Sequence, residues 1–276
     1  MQSERGQKKR NKKNWLLIII LICIGVTLAI VSGLGLATEL ISRSRGQNYY
    51  AGFVDGGTQD SGANGTVGSV RENIVYINEK IVTIDPDGED ELSELELKMA
   101  EYRSVAWLRC EGTIINYPVM QSGDNDYYLS HLPDGTANKM GSIFLDYRNS
   151  PDFTDKNSVI YGHHMKSGDM FTTLKHYNDQ AFYEQHPVMS LVTADAEFEI
   201  VLFGGYIVDA TTEMLPLYFR NATEFTDYLS EIMRRSVFSS NVEVGPDDRI
   251  VSLVTCSYEF DNARMLVAGK LVRIDQ

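Results

Sequence analysis

Cysteine is scarce in this 276-residue chain: Cys23, Cys110 and Cys256 are the only three, with no CxxC pair and no zinc-ligand spacing. That excludes a disulfide framework or a structural zinc centre as the organising principle. Histidine gives no metal signature either. His163 and His164 are adjacent, while His131, His176 and His186 fall at spacings unlike HExxH, so neither a metal nor a cofactor is expected. Positive charge is thin once the first fourteen residues are set aside. Those residues hold six of the 25 Lys and Arg (Arg5, Lys8, Lys9, Arg10, Lys12, Lys13) against the single acid Glu4, which leaves 19 bases and 37 acids, a net of -18, on the rest. Phosphate contacts need clustered Lys and Arg, so no nucleic-acid partner is expected. Internal repeats are lacking as well.

From Trp15 to Ala37 no residue is ionisable, and Ile, Leu and Val dominate the run. As a helix it would span about 35 Å, enough to cross a bilayer core. A cleaved signal peptide is the competing reading, because Gly35-Leu36-Ala37 loosely resembles a cleavage site. Twenty-three apolar residues exceed the ~7–15 of a signal peptide, which favours an uncleaved transmembrane helix over 15–37. The basic tail 1–14 places the N-terminus in the cytoplasm and everything after the helix outside. Residues 38–74, rich in Gly, Ser, Asn and Asp, read as a flexible extracellular tether, and 75–276 as the folded domain.

In that domain Leu92, Leu95, Met99 and Tyr102 recur at helical spacing behind the acidic Glu89, Asp90 and Glu91, which predicts an amphipathic helix over 89–103. Short β-branched and aromatic runs separated by turn residues follow: SVAWLRCE, TIINYPVMQ, GSIFLDY, NSVIYGHH, PVMSLVTA, EFEIVLFGGYIV, RIVSLVT and RMLVAGKLVRI. Eight such strands predict a closed or nearly closed β-barrel, an arrangement that removes exposed sheet edges. Between the sixth and seventh, Phe225, Tyr228, Leu229, Ile232 and Met233 make one apolar stripe with acids early and Arg234 and Arg235 late, predicting a helix over 223–237. The fold class is thus mainly β with helices, α+β. Leu132-Pro133-Asp134-Gly135-Thr136 reads as a turn.

Two cysteines fall in this domain. Cys110 sits in an apolar strand, where burial accounts for it. Cys256 ends the strand Arg249–Thr255, and Arg264 opens the next run. If the two strands form a hairpin, thiol and guanidinium share one barrel mouth, where a cation stabilises a thiolate and an Arg fork can hold an oxyanion. A buried strand-end cysteine beside a surface arginine is the alternative. Val159-Ile160-Tyr161-Gly162-His163-His164 is a strand running into histidine, and an imidazole there can act as general acid and base for acyl transfer at a cysteine. Neighbouring residues of an extended chain face opposite sides, so one of the two histidines serves.

Tyr161-Gly162-His163-His164, the Ser252-Leu253-Val254-Thr255-Cys256 segment against a TLxTC pattern, and Arg264 eight residues on resemble the sortases in that family's order. The amphipathic N-terminal segment and the helix at 223–237 resemble the elaborations of class B. The likeness covers most of residues 75–276, departing from the pattern at Ser252 and Val254. It implies an eight-stranded sortase-type β-barrel and a membrane-anchored cysteine transpeptidase of Gram-positive bacteria. Such an enzyme cleaves a C-terminal sorting signal of secreted proteins after Thr and joins the product to a peptidoglycan or lipid-linked precursor amine. By position in the motifs, Cys256 is the nucleophile, His163 the catalytic histidine and Arg264 the group that steadies the substrate carbonyl or oxyanion. Glu259 or Asp261 would either orient the histidine or form a solvated acidic loop. A pilin-polymerising sortase, a hydrolase, and a non-catalytic anchored peptide-binding module remain as other readings of the same residues.

Overall fold

The computed structural model describes residues 27, 31–51, 74–77, 80–83, 94–209, 214–256 and 263–274, with Cys256 and the segments 74–77 and 80–83 described by their backbone. The chain divides into two compact units, Met1–Arg45 and Gly46–Gln276. Residues 31–51 are helical and are labelled α1. Among the described residues no helix is long and apolar enough to cross a membrane. Of the run 15–37 expected to do so, only residue 27 and residues 31–37 are described.

The tether expected over 38–74 is helical as far as residue 51, and 52–73 lie outside the described residues. The difference comes from two tyrosines that the Gly- and Asn-rich composition concealed. Within the second unit, Tyr50 is 6% exposed, donates a hydrogen bond to the Gly141 carbonyl at 2.7 Å, and meets the Tyr117 ring edge-on at 5.2 Å. Tyr49 adds an edge contact to Tyr102 at 6.1 Å. Burying aromatic surface of this size outweighs weak local propensity. Two further strands, β1 (Ile74–Ile77) and β2 (Lys80–Thr83), pair antiparallel as a separate two-stranded sheet that sequence periodicity did not suggest. Of the helix expected over 89–103, the structure shows α2 (Glu94–Tyr102), and residues 89–93 lie outside the described ones.

The eight expected strands are all present: β3 (Ala106–Arg109), β4 (Asn116–Met120), β5 (Ile143–Leu145), β6 (Asn157–Gly162), β7 (Val188–Val192), β8 (Glu197–Asp209), β9 (Ile250–Cys256) and β10 (Ala263–Ile274). They close a barrel in the order β10-β8-β7-β3-β4-β5-β6-β9. β9 shows why its sequence is almost continuously apolar. Val251 and Leu253 belong to the main core, while Ile250 and Val254 belong to a second cluster with Phe225, Leu229 and Ile232. A strand covered on both faces has no solvent side to fill with polar residues.

That cover is α4 (Ala222–Arg235), with the short α3 (Gln180–Gln185) preceding β7. Asn221 caps α4 by accepting the Glu224 N–H at 2.9 Å, so the helix begins one residue before its expected start and ends two before its expected end. Arg235, in the last turn, donates to the Ile207 carbonyl at 3.0 Å and lies over the Tyr206 ring at 4.1 Å, which ties the helix to β8. Gly204 permits the approach, because a Cβ there would stand 2.9 Å from Ile232 Cγ2. Met233, expected in the buried stripe, is 42% exposed.

Candidate active site

The strand register assembles the site. β9 and β10 pair antiparallel with Cys256 opposite Arg264, and β9 and β6 run parallel with Thr255 opposite Gly162. One residue further along each parallel strand come Cys256 and His163. The backbone of Cys256 therefore lies between the strand that Arg264 belongs to and the end of the strand that leads into His163, at spacings of about 5 Å between neighbouring strands. Three residues separated by 93 and 8 positions in sequence are brought to one end of the barrel because β9 is the central strand of the three.

At this end of the barrel is a cavity of about 200 Å³ lined by His163, Arg264, Thr255, Tyr161, Asn125 and Leu129, with Asp126, Phe144, Gly162 and Val254 completing the wall. His163 is half-buried, and its Nε2 lies 2.7 Å from the Leu129 carbonyl. A carbonyl oxygen only accepts, so Nε2 carries the proton and Nδ1 is the basic nitrogen of the neutral ring. Thr255 is 2% exposed, and its hydroxyl has no hydrogen-bond partner among the described residues. His164 does not line the cavity. It forms an isolated antiparallel bridge with Met170.

Part of the wall comes from the β4–β5 loop, where the sequence offered no recognisable motif. Asn125 precedes, and Leu129 ends, a single turn of 3-10 helix, Tyr127–Leu129, held at its start by Asp124, whose Oδ1 accepts the Asp126 and Tyr127 N–H groups at 2.9 and 2.8 Å. These two hydrogen bonds hold the Asp124 carboxyl below its usual value. Beneath the wall, Tyr161 donates to Asp146 Oδ2 at 3.3 Å. Burial, with the adjacent Asp146 charge, pushes the Tyr161 hydroxyl up to about 12, so it remains a neutral donor across the physiological range.

Gly162 is buried between Ile143 and the Phe171 ring. A Cβ at this position would run into Ile143 Cδ1 and come within 2.7 Å of Phe171. Gly162→Ala must therefore shift the end of β6, and His163 with it. If His163 has the catalytic role that the motif resemblance implies, the expected result is a fall in kcat/KM of roughly 10- to 100-fold, the scale of cost for displacing a catalytic group by about 1 Å. Steady-state kinetics beside a thermal melt check it, with the loss of rate exceeding any loss of folded protein.

The other sequence candidates lie elsewhere. Cys110 is 1% exposed with Sγ 3.7 Å from the Tyr177 hydroxyl. That hydroxyl donates to the His186 carbonyl at 2.9 Å, so the thiol is the donor of the pair. Burial pushes the Cys110 thiol up, away from reactivity. His131 donates from Nδ1 to the Tyr127 carbonyl and stacks on its ring at 4.1 Å, and His186 donates to the Glu111 carbonyl at 2.9 Å. Among the described residues no group of three His, Cys, Asp or Glu is placed to hold a metal ion. Glu259 and Asp261 lie outside the described residues. The Leu132–Thr136 segment is a turn, closed by Gly135 N–H to Leu132 carbonyl and Leu132 N–H to Thr136 carbonyl bonds of 2.9 Å, with Gly135 at φ +82°.

Comparison with known proteins adds independent findings. The family model described as Sortase domain matches residues 108–272. A protein named Sortase B from Listeria monocytogenes serovar 1/2a (strain ATCC BAA-679 / EGD-e) is 39% identical over 201 residues, covering 72% of this chain and 81% of the relative. Another named Sortase B, from Staphylococcus aureus (strain NCTC 8325 / PS 47), is 32% identical over 172 residues, covering 62% and 70%. A solved Staphylococcus aureus sortase B-substrate complex superposes with a TM-score of 0.59 at 31% identity, covering 62% of this chain and 80% of that one.

Proposed function

The chain belongs to the sortase family, as a class B cysteine transpeptidase, and from that premise we propose that Cys256, His163 and Arg264 carry out acyl transfer between a secreted protein's sorting signal and a cell-wall amine. The observation that carries this reading is the register of β9, which places Cys256 opposite Arg264 and beside the β6 end that leads into His163.

In the first half-reaction the Cys256 thiolate attacks the carbonyl carbon of the Thr in the sorting signal. A C–S bond forms, and Arg264 donates hydrogen bonds to the oxygen as it takes on negative charge. The C–N bond then breaks and the leaving amine takes a proton from the His163 imidazolium, which leaves a thioacyl enzyme and a neutral ring. In the second half an amine of a peptidoglycan peptide, or of its lipid-linked precursor, attacks the thioester. Nδ1 of His163 takes the proton, the C–S bond breaks, and the Thr carboxyl ends in a new amide. The cavity beneath His163 and Arg264 receives the peptide, with the Thr255 hydroxyl available to it.

The same reading makes 15–37 the single transmembrane helix, with 1–14 cytoplasmic and the barrel outside a Gram-positive cell, where sorting signals and wall amines meet. The test is mass spectrometry of the products formed when the detergent-solubilised full chain meets a library of Thr-containing peptides and candidate amines. A peptide–amine conjugate is expected. Peptides cleaved to free acids at a rate indifferent to every amine would replace transfer by hydrolysis, and absence of cleavage would leave a peptide-binding module.

A further inference from the structure

At the corner between β5 and β6 a carboxylate is enclosed without any exposed surface. Asp146 is 0% exposed, and both its oxygens are occupied by donors alone. Oδ1 accepts from the Arg148 backbone N–H at 3.0 Å and from Arg148 Nε at 2.9 Å. Oδ2 accepts from Arg148 Nη2 at 2.8 Å, Asn125 Nδ2 at 2.9 Å and the Tyr161 hydroxyl at 3.3 Å. Burial alone would raise the Asp146 carboxyl, but the bonds from Arg148 and Asn125 outweigh it and hold the group below its usual value. The backbone is fixed as well: the Asp146 N–H donates to the Val159 carbonyl at 2.8 Å, and its carbonyl accepts from Gln121 at 3.0 Å.

The donors come from different walls of the same cavity. Asn125 and Tyr161 line it. Asn125 is held at its other end too, its Oδ1 accepting the Tyr147 N–H at 3.0 Å, so both ends of its amide are spoken for and its orientation is set. The Arg148 carbonyl accepts from Tyr218 at 2.5 Å, which ties in the loop residues just before α4. Asn157, on β6, holds the same loop through the Pro216 carbonyl at 2.8 Å.

We infer that Asp146 is a positioning residue of the transpeptidase, a buried carboxylate that holds Asn125, Tyr161 and, through Arg148, the stretch around Tyr218 in the geometry that receives the peptide. The inference rests on the reading that the sorting peptide occupies this cavity. Asp146 does not touch the reacting atoms. It acts by keeping two wall side chains and a neighbouring loop in register with the Cys256, His163 and Arg264 end of the barrel. A neutral amide cannot replace it, because either orientation of Asn points an NH2 at donors that are already committed.

The experiment uses the detergent-solubilised full chain and two probes. One is a quenched-fluorescence peptide chosen from a Thr-containing library by its turnover on the wild type, and the other is iodoacetamide, read as the alkylation rate of Cys256. Asp146→Asn is expected to raise KM by about tenfold or more while kcat changes by no more than about threefold and the alkylation rate by no more than about twofold, the pattern of lost ground-state positioning. An unchanged KM in folded Asp146→Asn, or alkylation falling in step with peptide turnover, overturns the inference. Should Asp146→Asn not fold, Arg148→Lys keeps the cation and loses the fork, and its KM is expected to rise about three- to fivefold; no rise is equally fatal. Asn125→Ala separates the two levels. If it raises KM while Asp146→Asn does not, the positioning role fails and the cavity stands. If neither raises KM, the cavity is not where the peptide binds.

Discussion

Replacing Cys256 by Ala is expected to abolish transpeptidation, with a loss of roughly 10⁴-fold or more in turnover, because the proposed mechanism runs through a thioacyl intermediate and alanine has no nucleophile to form it. The fold should survive. Cys256 is the last residue of β9, and its neighbours Thr255 and Val254 are buried on their own account. The distinguishing measurement is iodoacetamide labelling read cysteine by cysteine through peptide mapping. Wild-type chain should be labelled at Cys256 and lose activity in proportion, while Cys110 stays unlabelled until the protein unfolds, being 1% exposed and raised by burial. A Cys256→Ala chain that still cleaved the peptide at the wild-type rate would remove the nucleophile from the proposal, whatever the family membership.

Arg264→Ala is the second large effect. Arg264 is the second residue of β10, lies directly opposite Cys256 and lines the cavity. If its guanidinium holds the oxygen that becomes negative during attack, its removal costs about 10²- to 10³-fold in kcat, the scale measured when a single oxyanion donor is deleted. Arg264→Lys retains charge without the planar two-pronged donor and is expected to fall between wild type and Ala. If Arg264 contributed only to peptide binding, the loss would appear in KM with kcat preserved. A full set of kcat and KM values for the three proteins decides between these, and equal activity of Ala and wild type would exclude both.

The strands were legible because their chemistry is local. Each of the eight barrel strands is a short β-branched or aromatic run ended by turn residues, and α4 shows its acids early, its arginines late and an apolar stripe between. Where the reading slipped, burial by distant residues was responsible. Tyr49 and Tyr50 sit among residues that favour a loop, and only contacts with Tyr102, Tyr117 and Gly141 make the last turn of α1 worth forming. Met233 has the spacing of a core residue, yet 42% of it meets solvent, because the apolar stripe of α4 that is buried ends at Ile232. β1 and β2 went unnoticed because two four-residue runs stand out little against the longer strands that follow.

What the sequence determined by itself was the kind of strand, the order of strands, and the presence of a cysteine, a histidine and an arginine at strand ends in the order of a known family. It offered the partnership of Cys256 with Arg264 as one of two alternatives, because a hairpin joins residues close along the chain, and the register of β9 on β10 decided for it. The tertiary structure alone decided that β6 runs parallel to β9, bringing Gly162 opposite Thr255 across 93 positions, and that Asn125, Asp146, Tyr161 and Tyr218 form one set of contacts around the cavity. Such register is set by closure of the whole barrel around its core. No periodicity within a strand records which distant strand will lie beside it, or at what offset, and so the strand beside β9 across the parallel pair and the carboxylate under the cavity wall become visible only when the barrel is closed.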